Sequence, residues 1–428
     1  MSGSRAGGRR RGWVAAAAFA TAAACSSEPA PRSAATAGPP GLMSFCGLER
    51  RPLALEDGTE VYVEHEQVIL VGDDPLLAGA PSYHWNPRPG RHAERVSSNV
   101  ISAAYIGEPV RTVENPLPGT LGSVRVAALD DRRWAAILLL VDPDSLPAID
   151  MVRGLWYGEH DGERWTALEP MEFPGERLTS RLATRLVRAG DRLVWLASEP
   201  TLSSASVHVY ERVDGAWTRY VLPDEDRVEQ LALAYLEGSG LWMLLSGYDA
   251  GLPGFQKSLR LFRERPGGNS TSSDRWELVS RVTIAEPGVN LRRASLTVQS
   301  TGVTVSWMAV GRGSSTAMAR VGIGPDAPGT IVTLDEGSFS SRPAAMPDGS
   351  VVWLVDRYET GAPVAELRLL GVANGRVVRL AAIPSPFTGS FTVLSTNNSE
   401  VLVVGAEMGS DSTDVPVRSL ILRLSTSC

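Results

Sequence analysis

Carboxylates recur at one position of a repeated pattern in this 428-residue sequence, directly after apolar runs with the composition of buried strands. The residues at that position are Asp73, Asp74, Asp142, Asp144, Glu199, Asp249, Asp356 and Glu407. If the repeats close into a ring, equivalent positions lie on one face around the axis, and the pattern predicts an acidic rim that attracts cations or a basic partner. The alternative is that acids end strands because turns are polar.

A second group of chemically active side chains lies in the longest loop-like segment, PSYHWNPRPGRHAERV (81–96). Long loops on a rigid scaffold often carry binding sites. The candidate partner-binding residues are therefore Tyr83, His84, Trp85, Arg88, Arg91 and His92 of this loop, with Asp74, Asp142, Glu199, Asp249, Asp356 and Glu407 of the rim. A metal site at His84, His92 and Glu94 is an alternative to an exposed proline-rich loop, but no calcium-loop spacing occurs, and we predict no metal.

The sequence contains none of the usual catalytic signatures: no G-x-S-x-G, H-E-x-x-H or C-x-x-C, and no Walker or dinucleotide glycine loop. Acids and arginines suited to glycosidase chemistry are present at Asp335, Glu336, Arg293 and Arg342, but no spacing singles any of them out. We therefore predict no catalytic residue and no cofactor, and the sequence favours a protein that is not an enzyme.

The composition gives no support for nucleic-acid binding or for a membrane-spanning helix. The formal net charge is −7, which gives no reason to expect nucleic-acid binding. No apolar run reaches the roughly 18 to 20 residues that a membrane-spanning helix needs. The apolar fraction of 43% is ample for a large core, and the many glycines and prolines suit an all-β protein rich in turns.

The elements that position these residues are short strands in a repeat. Residues 193–223 read as three strands, the last two joined by Asp214-Gly215, a strong hairpin signal. Such units must stack on copies of themselves to bury both faces. Apolar runs with a central tryptophan recur at Trp134, Trp195, Trp242, Trp307 and Trp353, and QVILVGDD (67–74) and EVLVVGAE (400–407) fill the same role at the two ends.

The repeats predict a seven-bladed β-propeller, although six to eight blades are compatible with the spacing. The predicted blade limits are 59–117, 121–173, 178–223, 228–286, 289–335, 339–384 and 388–428. The last blade has only three strands, and ERRPLAL (49–55) can supply the fourth, which closes the ring and removes an open sheet edge. Cys46 and Cys428 flank those paired ends and are predicted to form a disulfide.

The first 45 residues read as an export signal and a tether. Arg9, Arg10 and Arg11 precede a 12-residue apolar stretch (13–24), which is too short to span a membrane. Cys25 follows small residues, and this pattern resembles a bacterial lipoprotein signal, which implies lipidation of Cys25 and, with Ser26 next to it, sorting to the outer membrane. Cleavage by an ordinary signal peptidase before an unmodified Cys25 is the alternative. The predicted organisation is a signal peptide (1–24), a flexible tether (25–45) and a propeller (46–428).

One blade carries a family resemblance. The sequence SRPAAMPDGSVVWLVDR (341–357), followed by LRLL and GRVVRL, resembles a TolB-type (PD40-like) propeller repeat over about 45 residues. The Asp161-Gly162 and Asp214-Gly215 turns are similar to sialidase-type Asp boxes but lack the full S-x-D-x-G-x-x-W pattern, and imply architecture rather than sialidase activity.

These observations predict an exported, membrane-anchored, monomeric propeller that binds a protein or glycan partner on one face without catalysis. Two alternatives remain open. One is an extracytoplasmic hydrolase acting on glycans, with its site at the mouth of the propeller channel, and the other is a purely structural envelope protein.

Overall fold

The structure is a computed structural model. The described residues are 47–54, 56–58, 60, 62–63, 67–71, 74–78, 82–84, 94–95, 100–103, 109, 111–141, 152–172, 186–200, 205–222, 228–248, 256–265, 273–284, 289–300, 302–311, 315–324, 327–357, 366–396, 400–408 and 416–425. Among them no helix is long and apolar enough to cross a membrane.

The secondary structure is almost entirely β. The early strands are β1 (Gly47–Pro52), β2 (Tyr62–Val63), β3 (Gln67–Val71), β4 (Asp74–Ala78), β5 (Ser82–His84), β6 (Glu94–Arg95), β7 (Val100–Ala103) and β8 (Arg111–Glu114). The next are β9 (Thr120–Ala128), β10 (Trp134–Val141), β11 (Val152–His160), β12 (Trp165–Pro170), β13 (Leu186–Ala189), β14 (Arg192–Pro200), β15 (Ala205–Val213) and β16 (Ala216–Leu222).

The remaining strands complete the second half of the chain. They are β17 (Val228–Leu236), β18 (Gly240–Tyr248), β19 (Lys257–Glu264), β20 (Trp276–Ile284), β21 (Asn290–Gln299), β22 (Gly302–Val310), β23 (Ser315–Ile323), β24 (Pro328–Glu336), β25 (Ser338–Ala345), β26 (Val351–Arg357), β27 (Glu366–Ala373), β28 (Arg376–Pro384), β29 (Phe387–Ser395), β30 (Val401–Met408) and β31 (Pro416–Ser425). A 3₁₀ turn (Ser273–Arg275) directly precedes β20.

Six four-stranded antiparallel sheets form the blades of a β-propeller. Blades 1 to 5 are made of consecutive strands, β9–β12, β13–β16, β17–β20, β21–β24 and β25–β28, and blade 6 has the order β29-β30-β31-β1. The first strand of each blade contacts the first strand of the next, from β9 through β13, β17, β21 and β25 to β29, so these strands lie closest to the axis. The all-β propeller prediction is confirmed.

The second strand of each blade is buried on both faces. In β14, Trp195 packs into a cluster with Leu139 and Tyr157 of blade 1, whereas Val194 packs into a cluster with Leu241 of blade 3. Side chains alternate along a strand, so one strand contributes to the seams on both sides. The five repeated tryptophans all lie in second strands and are at most 2% exposed: Trp134, Trp195, Trp242, Trp307 and Trp353.

Closure of the ring occurs as predicted. Strand β1 pairs antiparallel with β31, from Gly47 opposite Ser425 to Pro52 opposite Leu420, and supplies the fourth strand of blade 6. Arg50 of β1 and Arg418 of β31 both bond to Glu407 of β30, which links the three strands through side chains as well. Cys46 and Cys428 lie outside the described residues, and their bond stays a prediction.

The prediction of a seventh full blade at 59–117 is wrong for the described residues. This segment forms three small sheets instead, β2-β5-β6, β3-β4 and β7-β8. The apolar run 67–74, predicted as one strand, is split because Val71 pairs with Asp74 across a tight hairpin. Strand β3 contacts both β9 and β29, so this segment lies between blades 1 and 6.

The hairpin at Asp214-Gly215 has the backbone that its sequence predicts. Its two residues have φ of 48° and 81°, and Val213 pairs with Ala216 across them. Positive φ at both central positions defines the type I′ turn, whose twist matches that of the flanking strands. Asn374-Gly375, with φ of 51° and 70°, joins β27 to β28 in the same way. Local sequence therefore fixes the register of these hairpins.

Substitution of Gly405 by alanine tests the packing of blade 6. A Cβ at this position of β30 would lie 2.6 Å from the Phe387 ring, which is itself buried. We expect Gly405→Ala to reduce the free energy of unfolding by about 1–3 kcal/mol, as overpacking of a core does. Chemical denaturation measures this.

Gly324→Ala is the matched control, because a Cβ there comes only within 3.6 Å of Ala327, an ordinary contact. Equal stability of the Gly405 and Gly324 variants would contradict the packing described for blade 6.

Candidate functional site

Arg293 and Asp356, two of the residues named from sequence, lie at the same face of the ring. In each antiparallel blade the first strand begins, and the second strand ends, at the same face, which we call the mouth face. Arg293 lies near the beginning of β21 and Asp356 near the end of β26, so both lie at this face. This placement is the one that the repeat pattern predicts for acids that follow second strands.

A cavity of about 240 Å³ lies along the axis between the first strands of four blades. β17 supplies Leu231 to Leu233, β21 supplies residues 294–297, and β25 and β29 complete the wall. The polar lining groups are Arg342, Ser295, Thr297 and Thr392. None of the described lining residues is a carboxylate. The charged group among them is the guanidinium of Arg342.

The polar groups of this cavity are held by hydrogen bonds between blades. Arg342 Nε donates to the carbonyl oxygen of Phe391 on the neighbouring blade, at 3.3 Å. The side chain of Gln230 accepts a hydrogen bond from the backbone N–H of Ala294, at 2.6 Å. Because each contact joins two first strands, the cavity is fixed by the ring rather than by one blade.

Strand β21 bulges at the mouth. Its pairing with β22 shifts between Arg292 and Ser295, and Arg293 has φ of 54°. A bulge re-aims the side chain of the extra residue, and a non-glycine residue in the left-handed region costs free energy that the surrounding fold must offset. Arg293 is thereby directed towards the seam that contains Asp356, whose negative charge acts on it.

Asp356 is fully buried, with 0% of its surface exposed. Neither of its carboxylate oxygens makes a hydrogen bond of standard geometry with a described residue. Burial raises its pKa from 3.8 to about 6, opposed in part by the nearby Ser385 hydroxyl and the charge of Arg293. A carboxyl group in this setting is partly protonated near neutral pH and can act as a proton donor.

A second buried carboxylate shows the contrast. Glu211 is 1% exposed, but Arg192 contacts one of its oxygens at 2.9 Å and Arg275 contacts the other at 2.7 Å. Both arginines also bond to Glu264, so four charged side chains form a closed network of ion pairs across blades 2 and 3. Glu211 has the partners that a structural buried charge requires, whereas Asp356 has no comparable pair of arginine contacts among the described residues.

The other residues predicted from sequence lie elsewhere in the structure or outside the described residues. The Glu407 side chain is 17% exposed and forms ion pairs with Arg50 and Arg418. It therefore stabilises the pairing of the closing strands and does not contribute to an open acidic surface. Asp74 and Glu199 lie in β4 and β14, and Tyr83 and His84 lie in β5. The remaining predictions fall outside the described residues: Trp85, Arg88, Arg91, His92, Asp142, Asp249, Cys25, Cys46 and Cys428.

Within the described ranges, no group of three or more His, Cys, Asp or Glu residues could hold a metal ion. His160 has a structural setting, since its ring stacks on Trp134 at 4.7 Å and its Nδ1 accepts from Gly162 N–H. Of the other acids named from sequence, Asp335 accepts from Ser338 Oγ at 2.7 Å and contacts Arg357 and Arg368.

No protein-family model matches the sequence, and no curated protein is significantly similar to it. Solved structures share the fold. The polysaccharide lyase Uly1 matches with a TM-score of 0.50 at 10% identity, covering 90% of this chain and 99% of that one.

Two further solved structures are more distant. The β-propeller domain of Myceliophteria thermophila Cps50 (Swd1) has a TM-score of 0.45 at 11% identity, over 90% and 99% of the two chains. Trypanosoma rangeli sialidase in complex with sialic acid has 0.43 at 12%, over 88% and 60%. Similarity at these identities shows a shared fold and nothing finer.

Replacement of Asp356 by asparagine tests its environment. Since its folded pKa is raised from 3.8 to about 6, the wild-type protein loses stability as pH rises between these values and stays at the lower level above them. At about 1.4 kcal/mol per pKa unit the full loss is about 3 kcal/mol. We expect Asp356→Asn to be more stable than wild type at pH 8, by about 1–3 kcal/mol, and to lose that advantage at pH 4.

Chemical denaturation at the two pH values gives the difference, and Glu336→Gln, which removes an exposed carboxylate, is the control. A variant that differs from wild type equally at both pH values would show that the Asp356 carboxyl is not perturbed.

Proposed function

We propose that this protein is an extracytoplasmic enzyme that acts on glycans, as a hydrolase or a lyase, with its site at the mouth of the axial cavity. The observation that carries the proposal is Asp356, a buried carboxylate at the mouth face whose pKa is raised by burial, with the Ser385 hydroxyl and the charge of Arg293 near it and no hydrogen bond of standard geometry from the described residues. The proposal reverses the non-catalytic interpretation that the sequence favours.

The proposed roles follow from the chemistry of each group. Asp356 would act as a general acid that protonates the leaving oxygen of a glycosidic bond, since its pKa of about 6 keeps it partly protonated. Arg342 on the cavity wall would orient hydroxyl or carboxylate groups of the sugar, because a guanidinium presents several donors in a fixed plane. Asp356 is fully buried in the free protein and is not one of the described residues that line the cavity, so the proposal requires a rearrangement at the mouth that brings its carboxyl group to the substrate.

The energetic argument supports a function for Asp356. A buried carboxylate that lacks hydrogen bonds lowers stability, whereas a well-packed apolar or amide side chain in its place would not. Groups that cost stability and have no structural use are typical of active sites. The polysaccharide lyase Uly1, a solved structure with a similar fold, indicates that a propeller of this size can carry such chemistry.

A non-catalytic module that binds a protein or glycan is the second candidate. One observation favours it, namely that the described residues lining the axial cavity include no carboxylate, although glycosidases commonly use two. The two candidates make different predictions for turnover.

Kinetics on a panel of chromogenic glycosides and soluble polysaccharides tests the proposal. We expect turnover by wild type with a kcat that falls as pH rises above about 6, where Asp356 loses its proton. Asp356→Asn should lower kcat by about 100-fold or more, the usual contribution of a general acid. Glu336→Gln, an exposed acid, should leave kcat unchanged.

Calorimetric binding of an oligosaccharide without any turnover would support the second candidate instead. Full activity in Asp356→Asn would overturn the assignment of the acid.

We also propose that the protein is anchored by lipid on Cys25 in the cell envelope and closed by a Cys46–Cys428 disulfide. The support is the leader sequence and the pairing of β1 with β31, whose register places Gly47 opposite Ser425. Metabolic labelling with a fatty-acid probe should mark wild type and not Cys25→Ala. Release of unlabelled wild-type protein into the medium would contradict the anchor, and two free thiols in non-reduced peptides would contradict the disulfide.

A further inference from the structure

A groove of about 250 Å³ lies at the outer edge of the ring, between the last strand of blade 1 and the outer strands of blade 2. We call it the rim groove. Its functional lining residues are Glu169, Glu172, Tyr210, Trp217 and Arg219. It shares no described lining residue with the axial cavity.

The charges of the rim groove are balanced. Glu169 accepts from Arg212 Nε at 3.0 Å and from the indole N–H of Trp217 at 3.2 Å. Arg219 Nη2 bonds to Glu172 at 2.6 Å. Because each carboxylate has an arginine, the groove has little net charge, and the ligand that fits it is neutral.

Tyr210 supplies an unsatisfied polar group. Its side chain is 1% exposed, and its hydroxyl makes no hydrogen bond with a described residue. Tyr210 lines the same groove as Arg219 and Glu172, whose charges act on its hydroxyl. A buried hydroxyl is normally hydrogen-bonded, and a ligand hydroxyl in the groove would satisfy it.

We propose that the rim groove binds one neutral sugar ring of a glycan chain. The groove is smaller than the roughly 300–1,000 Å³ of pockets that hold drug-sized ligands, which suits a single ring. Trp217 provides an apolar surface with a polar edge. Glu169 and Glu172 accept hydrogen bonds from sugar hydroxyls, and Arg219 and Tyr210 donate them. The inference does not rest on the proposed activity, since the ligand class follows from charge, size and hydrogen-bonding groups.

Saturation-transfer NMR with the methyl glycosides of glucose, galactose, mannose and arabinose tests the site, with methyl glucuronide as the anionic comparison. Wild type should bind at least one neutral glycoside more strongly than the glucuronide. Tyr210→Phe should weaken that binding about 5-fold, the value of one hydrogen bond of about 1 kcal/mol. Its thermal midpoint should not fall, because the buried hydroxyl that it removes has no hydrogen-bond partner in the described structure.

Two variants serve as controls. Tyr220→Phe makes the same chemical change in the neighbouring strand, where the hydroxyl bonds to Trp276 outside the groove, and should bind like wild type. Asp356→Asn should also bind like wild type, which separates this site from the axial one. The proposal is overturned by the absence of saturation transfer from every neutral glycoside, by unchanged binding in Tyr210→Phe, by a preference for the glucuronide, or by loss of binding in Asp356→Asn.

Discussion

Burial of both faces of every blade is the constraint on which this structure depends. A four-stranded sheet whose second strand is apolar on both sides cannot be stable alone, because one face would remain in water. Trp195 and Val194, adjacent in sequence, pack into the seams on opposite sides of blade 2. Each blade therefore needs two neighbours, and the chain satisfies this only by returning to its beginning, where β1 completes blade 6.

Two carboxylates that are buried between blades have different partners. At the seam of blades 2 and 3, Glu211 is contacted by two arginines, and its burial is compensated. Near the mouth face, the described groups that act on Asp356 are the hydroxyl of Ser385 and the charge of Arg293, and burial outweighs them. Both carboxylates are excluded from water to a similar degree. The difference lies in the partners, and it distinguishes a carboxylate that stabilises the fold from one whose proton is available for chemistry.

Much of the architecture could be predicted from sequence because it depends on local patterns. The five tryptophan-containing runs are strands with both faces buried, and Asp214-Gly215 adopts the backbone that its hairpin requires. The closing strand was also predictable, since blade 6 had one strand too few. The prediction of a complete blade at 59–117 was wrong because the run at 67–74 has strand composition throughout, whereas the hairpin between Val71 and Asp74 divides it.

The site was only partly predictable. Asp356 was one of eight acids at equivalent positions, and what sets it apart is its burial beside groups that neighbouring elements supply. Those elements are β21, whose bulge directs Arg293, and the segment before β29 that carries Ser385. They are about 63 residues before Asp356 and 29 after it in the chain, so no local spacing reports on them. The rim groove escaped prediction for the same reason, because β12 and β16 belong to different blades.

The direction of β1 determines at which face of the propeller the described chain begins. As the outermost strand of blade 6, β1 begins at the face opposite the mouth, since first and third strands run one way through a blade and second and fourth strands run the other. Gly47 therefore lies on the same side of the propeller as the Asp214-Gly215 and Asn374-Gly375 hairpins. A long polymer at the mouth would approach the ring without meeting the N-terminal end of β1.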